Sequence, residues 1–374
     1  MSSYPSAKKP YYYHIDLLRF LFSILIVYYH LLHSNIMPYV TDPVYTNLAV
    51  LNNYSENIVV CFFVMGGVFL YRSWQAEPDR TVFEFLMGRV VRLWPVLMVS
   101  MLVSNLITGN FNWNRLLIDS FFLQCSGLSL EYRGLLWYVS SFFFASLFLY
   151  TLLKTFSYRS AMLTISLSSY FCCVFLINFF GGSLNSRETV LYVLNTGILR
   201  GVGFMGVGIL IAAIRENLSG MFSKAPLSRP VQIGLVAVSS VTEILCLSFL
   251  FRYFLNSPAV GNHIIVLLVF SILMFCMLCR FDPMGFLLNR RSAGYCGRYA
   301  YSIYVMQGTG FCILQKTLWL SKAFTGNIPL ALIGSTLFVV LLGVAAYYLV
   351  ELPCTNLYRK WRTRYRAAER KHTA

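Results

Sequence analysis

Ten stretches of about 20 predominantly apolar residues recur along this chain, at 15–34, 56–75, 92–109, 135–154, 161–180, 191–214, 231–252, 262–279, 299–320 and 328–350, each long enough to cross a bilayer as a helix. Few folds are open to such a chain, because a backbone inside lipid must satisfy its own hydrogen bonds. The pattern predicts an all-α fold, a polytopic transmembrane bundle of about ten helices. Composition points the same way: 57% of the 374 residues are apolar, 12% are charged and the mean hydropathy is +0.64, beyond what a soluble core requires. The connecting segments are too short for a soluble domain. One membrane domain over 1–374 is expected, with short cytoplasmic tails at 1–14 and 351–374. The segment carrying Lys8 and Lys9 has no small-residue cleavage site after it, so the first helix is expected to stay.

Ten spans place both termini on one side, and the basic residues say which. With a cytoplasmic N-terminus, 22 of the 30 Lys and Arg fall on the inner side. Six (Arg115, Arg133, Arg187, Arg252, Lys316 and Lys322) fall on the other, and Arg19 and Arg200 lie within spans. That asymmetry is the positive-inside pattern. The net charge of +16 therefore reports topology, and the basic tail from Arg359 to Lys371 is expected against anionic membrane lipids, with no nucleic acid as partner. The ten cysteines read as small apolar packing residues. Cys276-x-x-Cys279 has metal spacing but no second ligand pair nearby, so no metal site is expected.

Within this apolar background, the first helix carries charge. Arg19 and His30 are eleven residues apart, so at about 100° per residue they point within about 20° of each other, separated by roughly 16 Å along the axis. Asp16, Ser23 and His33 fall on the same stripe. A cation and an imidazole sharing one face in hydrocarbon mark a functional site unless they are satisfied by bundle packing or, for Arg19, by snorkelling to the interface. Asp16, three residues before Arg19, is its natural counter-charge.

A second basic pair, Arg89 and Arg92, precedes Pro95 at the expected mouth of the third helix. Spacing of three puts both guanidiniums on one face, suited either to the phosphates of a ligand or to anchoring the membrane end. Pro95 frees the carbonyl of residue 91 and favours a kink beside a cavity. Trp137 at the start of the fourth helix reads as an interfacial belt residue or as a platform for an acceptor. Glu351 reads as a cap or the partner of a nearby cation. Arg200 and Glu243, both within spans, need partners that the sequence does not identify.

Several segments together resemble the acyltransferase-3 family of integral membrane O-acyltransferases. Arg19 followed by ten residues and His30 is similar to its Arg-x10-His signature, and Arg89-x-x-Arg92 to its Arg-x-x-Arg motif. Cys61-Phe-Phe-Val-Met-Gly-Gly67, Leu136-Trp137-Tyr138, Tyr301-Ser302-Ile303-Tyr304 and Tyr347-Tyr348-Leu349-Val350-Glu351-x-Pro353 follow in the family's order. The chain departs from the pattern at Gly66, where the family commonly has Ser, and at Gln307, where it commonly has His.

The resemblance implies transfer of an acyl group, usually acetyl, from cytoplasmic acyl-CoA to a hydroxyl of a cell-surface or lipid-linked glycan, in a bacterial inner membrane. It implies His30 as base or transient acyl carrier, Arg19 and Asp16 as its catalytic companions, and Arg89 and Arg92 on the CoA phosphates. Trp137, Tyr304, Gln307 and Glu351 are then candidates for substrate contact, with acyl-CoA as donor substrate and no metal. Two alternatives remain on sequence grounds: a transporter or flippase for a lipid-linked sugar or small anion, against which the lack of an internal repeat counts, and an inactive scaffold of the same fold.

Overall fold

The computed structural model describes residues 11–32, 57–125, 136–179, 189–190, 194–224, 228–256, 263–279, 281–317 and 328–372. The long helices are α1 (Tyr13–His30), α2 (Ile58–Ala76), α3 (Val82–Thr108), α5 (Trp137–Thr155), α6 (Tyr158–Phe179), α7 (Thr196–Lys224), α8 (Arg229–Asn256), α9 (His263–Leu278), α12 (Ala300–Lys316), α13 (Ile328–Ala346) and α14 (Leu352–His372). Between them lie the short helices α4 (Trp113–Ser120), α10 (Pro283–Leu288) and α11 (Arg291–Tyr295). A two-residue hairpin, β1 (Thr189–Val190) with β2 (Leu194–Asn195), pairs antiparallel just before α7.

Apart from that hairpin the regular structure among the described residues is helical, and a helix stands at each of the ten expected positions. Among the described residues, seven helices are long and apolar enough to cross a membrane: α2, α3, α5, α6, α7, α8 and the continuous run from α13 into α14. The other three have physical reasons to fall short. His14, Asp16, Arg19 and His30 lower the hydropathy of α1, while α9 and α12 have only 16 and 17 residues. His33 lies outside the described residues.

Two of the departures from the expected spans bear on the site. The third was expected to begin at residue 92, but α3 begins at Val82, because Thr81 and Glu84 form a reciprocal capping box in which each side chain bonds the other's backbone N–H at 3.1 Å. Arg89 and Arg92 therefore stand well inside a 27-residue helix, which continues through Pro95 to a left-handed cap at Gly109. The last helix was expected to stop near residue 350 before a free tail. Instead a π-helical turn, Tyr347–Glu351, joins α13 to α14, and the basic tail is itself helical. Not all of that tail is left for lipid. Arg366 forms a fork on Glu84 at 2.7 and 2.6 Å, and Arg362 bridges Glu84 and Glu77.

The bundle centres on α7, which packs against α2, α5, α6 and α9. Its crossing with α2 brings backbone to backbone: a Cβ on Gly67 would come within 1.9 Å of the Met205 carbonyl, and one on Gly208 within 2.0 Å of the Val64 carbonyl. Only glycine permits this approach. Gly208→Val is expected to destabilise the bundle by about 3 kcal/mol; an unchanged thermal midpoint in detergent would refute the contact.

A smaller apolar cluster joins Val27, Leu31 and Leu32 of the first helix to Ile303 and Phe311 of α12 and to Val339 of α13. Outward-facing positions stay apolar, as at Leu106, Ile233, Leu341 and Leu349. Ser140, Thr309, Arg200 and Gln307 are meanwhile buried inside. Polar residues within and apolar residues without is the distribution lipid demands.

Candidate active site

A cavity of about 780 Å³ opens between α1, α2, α3, α5, α12 and α14. Along α2 its wall is Phe62, Gly66, Phe69, Ser73 and the capping residue Glu77, recurring every three or four residues on one face. Fifteen residues separate Phe62 from Glu77, so the cavity is about 22 Å deep.

One end is charged. Glu77, Arg80, Tyr358, Arg359 and Arg362 line it. Lys154 donates to the Pro78 carbonyl at 2.7 Å and Tyr150 to the Arg80 carbonyl at 3.1 Å, which fixes the C-terminal end of α5 at the same level.

The middle holds the residues picked out by the sequence motifs. Asp16 accepts from Arg19 at 2.9 Å and from the Tyr11 hydroxyl at 2.5 Å, and Arg19 lies 5.1 Å from the centroid of Phe69. Arg92 meets Glu351 at 3.3 Å, and the other Glu351 oxygen accepts from Ser302 at 2.6 Å. A π-helical turn spends one extra residue on its circuit and so re-aims its side chains; here it carries Glu351. Tyr301 donates to the Leu93 carbonyl at 2.5 Å, just before Pro95. Arg89 differs from its neighbour: among the described residues it has no carboxylate partner and lies between the Phe85 and Phe142 rings, 5.0 and 5.1 Å from their centroids.

The opposite end is aromatic. Tyr138 is its hub, with ring centroids 6.1 Å from Phe62, 5.7 Å from Phe142 and 5.3 Å from Tyr304. All four rings line the cavity.

The lining carries eight arginines, Arg19, Arg80, Arg89, Arg92, Arg291, Arg298, Arg359 and Arg362, and three carboxylates, Asp16, Glu77 and Glu351. A formal excess of five positive charges remains, in a space where low-dielectric walls strengthen every interaction. A chamber of this length and charge can accept an elongated ligand with a polyanionic head and a slender, less polar arm.

Of the residues singled out from the sequence, the cavity assembles Asp16, Arg19, Arg89, Arg92, Tyr304 and Glu351 from four separate helical segments. Trp137, Gln307 and His30 do not line it. Trp137 is packed inside the bundle with the guanidinium of the buried Arg200 4.7 Å from its ring, which supplies Arg200 with a neighbour. Glu243 proves to stand beside Asp282 and accept from the Met284 N–H, while Asp282 meets His14 at 3.0 Å.

Gln307 is fully buried, and among the described residues neither of its amide atoms has a hydrogen-bond partner. Ile303 and Phe311, one turn on either side of it, belong to the apolar cluster that also holds Val27 and Leu31 of the first helix and Val339 of α13, so Gln307 shares the face of α12 that packs into this cluster. His30 is half-buried, stacked edge-on against Tyr29 at 5.1 Å. Phe22 marks the level of the aromatic end through its contact with Phe62 at 6.3 Å, and His30 is eight residues further on, about 12 Å along the axis.

Arg80, Arg298, Arg359, Arg362, Tyr138 and Phe142 were not anticipated. Arg80 and Arg298 come from connecting segments and Arg359 and Arg362 from the tail, where charges are ordinary, and no periodic signal marks them.

A family model described as an acyltransferase domain matches residues 12–349 of the chain. No curated protein and no solved structure matches it.

Proposed function

The chain belongs to the acyltransferase-3 family and is a membrane acyltransferase; from that premise we propose that it moves an acetyl group from cytoplasmic acetyl-CoA to a hydroxyl of a cell-surface or lipid-linked glycan. The observation that carries this reading is the cavity's polarity along its length, with more guanidiniums than carboxylates at one end and four aromatic rings at the other. A CoA thioester has the same sequence of parts: a cluster of phosphates, a pantetheine arm of length comparable to the cavity, and a small acyl group.

In this reading Arg80, Arg359 and Arg362 take the phosphates at the charged end, where Glu77 and Glu84 hold Arg362 until the ligand competes for it. Arg89 needs no such exchange and offers its donors outright. The arm then passes Arg19 and Arg92 toward Tyr138 and Tyr304. His30 acts from the far side. It takes the proton of the acceptor hydroxyl, the oxygen attacks the thioester carbonyl, the carbon–sulfur bond breaks, and CoA leaves as a thiolate that is then protonated. His30 stands beyond the aromatic end, so the rings that bound the resting cavity must part, after the donor has bound, for the acceptor oxygen and the thioester to meet. Gln307, on the way, can donate to and accept from the reacting oxygens but cannot carry the proton at neutral pH. The same reading sets the protein in a bacterial cytoplasmic membrane with both termini inside.

The test is an assay of the full chain, purified and reconstituted in lipid nanodiscs, with radiolabelled acetyl-CoA and a lipid-linked glycan extract. Label appearing on glycan, together with free CoA thiol, is the expected outcome. Movement of a sugar or anion across proteoliposomes without any acyl transfer would replace this reading with a transporter, and absence of both would replace it with an inactive scaffold.

A further inference from the structure

Phe142 does something that neither the motifs nor the acyl-transfer reading assign. Its ring reaches from α5 across to the backbone of α2, where a Cβ built on Gly66 would stand 2.6 Å from its Cε2 atom. Gly66 therefore lets the ring seat directly on α2. Any side chain at 66 would push the ring off. The same ring touches Tyr138, which in turn touches Phe62 and Tyr304, so a single connected group of aromatics spans three walls of the cavity.

The depth of this group follows from α5. Tyr150 is tied to the Arg80 carbonyl at the charged end, and Phe142 and Tyr138 lie 8 and 12 residues earlier, about 12 and 18 Å deeper. Among the described residues, the next turn of α2 beyond the rings is packed: Ile58 and Val59 are buried and do not line the cavity. Close-packed interiors do not yield volume to an added chain without displacing side chains.

We infer that Phe142, seated on Gly66, limits the donor's acyl group to acetyl size by narrowing the cavity, together with Tyr138, Phe62 and Tyr304, just past the thioester. This rests on the acyl-CoA reading above, since it is the phosphates at the arginine end that place the acyl group at the rings. An acetyl methyl fits against the Phe142 and Tyr138 faces. An octanoyl chain has to run through them.

The test is calorimetric titration of the full chain in nanodiscs with CoA, acetyl-CoA and octanoyl-CoA, for the wild type, Phe142→Ala and Phe142→Leu. The wild type is expected to bind octanoyl-CoA at least about tenfold more weakly than acetyl-CoA, a difference of about 1.4 kcal/mol. Phe142→Ala narrows that gap to within about threefold, and Phe142→Leu, which keeps more of the side-chain volume and supplies the comparison should the alanine variant not fold, narrows it partly. Equal binding of the two thioesters by the wild type overturns the inference, as does an unchanged ratio in variants that still bind CoA. Failure of the wild type to bind any of the three ligands overturns the acyl-CoA reading itself, and is distinct from either of those results.

Discussion

His30→Ala protein is expected to lose acyl transfer by about 10²- to 10⁴-fold, the contribution of a positioned acid–base group, while its affinity for CoA stays within experimental error of the wild type. The separation of the two effects comes from position. His30 lies about 12 Å of helix beyond Phe22, which marks the aromatic end, while the guanidiniums proposed to hold the donor all lie on the other side of those rings. The substitution removes a half-buried ring from the end of α1 and leaves the neighbouring Val27 and Leu31 cluster in place, so the fold should survive. Single-turnover transfer measured at saturating donor, beside a calorimetric binding isotherm, separates the two quantities. A variant with wild-type transfer would remove His30 from the chemistry, and one that loses CoA binding would place it at the donor instead.

Arg89→Ala should weaken binding of CoA by about 10- to 100-fold, the cost of losing a charge-assisted contact. Arg92→Ala should cost less. Arg92 already spends its charge on Glu351, so a ligand must displace that carboxylate and gains only the difference, whereas Arg89 has rings rather than a carboxylate beside it. Sequence spacing alone treats the two as equivalent. Isotherms for both variants decide the matter: equal losses would mean that the Arg92–Glu351 pair opens at no cost, and no loss in Arg89→Ala would take the donor out of this cavity. Raising the salt concentration should lower wild-type affinity and narrow the gap between the wild type and Arg89→Ala, because screening weakens the contact that the variant lacks.

The helices were legible in the sequence because length and apolarity suffice to mark a segment that must satisfy its backbone in lipid. Where those signals stop, so did the reading. The first turns of α3 lie in a charged stretch, Glu77 to Glu84, which a hydropathy window passes over, although Thr81 and Glu84 spell a capping box there. Asp16 and Arg19 stood out because a charge in an apolar run is costly, and the structure accounts for both by pairing them at the cavity wall. Trp137 drew notice over Tyr138 on residue type, yet adjacent helical residues point about 100° apart, and it is Tyr138 that enters the cavity. Arg80, Arg298, Arg359 and Arg362 were invisible for a different reason. Each is unremarkable where it stands in the chain, and only packing of the tail and connecting segments against α1, α2 and α3 brings them to one space. The departure at Gly66 gained a physical meaning only with the Phe142 ring seated opposite it.

The π-helical turn at Tyr347–Glu351 makes α13 and α14 one stiff rod, half embedded among apolar neighbours and half carrying the cations clamped to Glu77 and Glu84. Such a rod is keyed: the extra residue in that turn sets the azimuth of everything after it, so Arg359 and Arg362 face the chamber only while the count between Tyr347 and Glu351 is kept. Changes of side chain there alter one contact at a time. A change in the number of residues would swing the whole basic arm round by about a quarter turn and carry Arg359 and Arg362 away from the chamber wall.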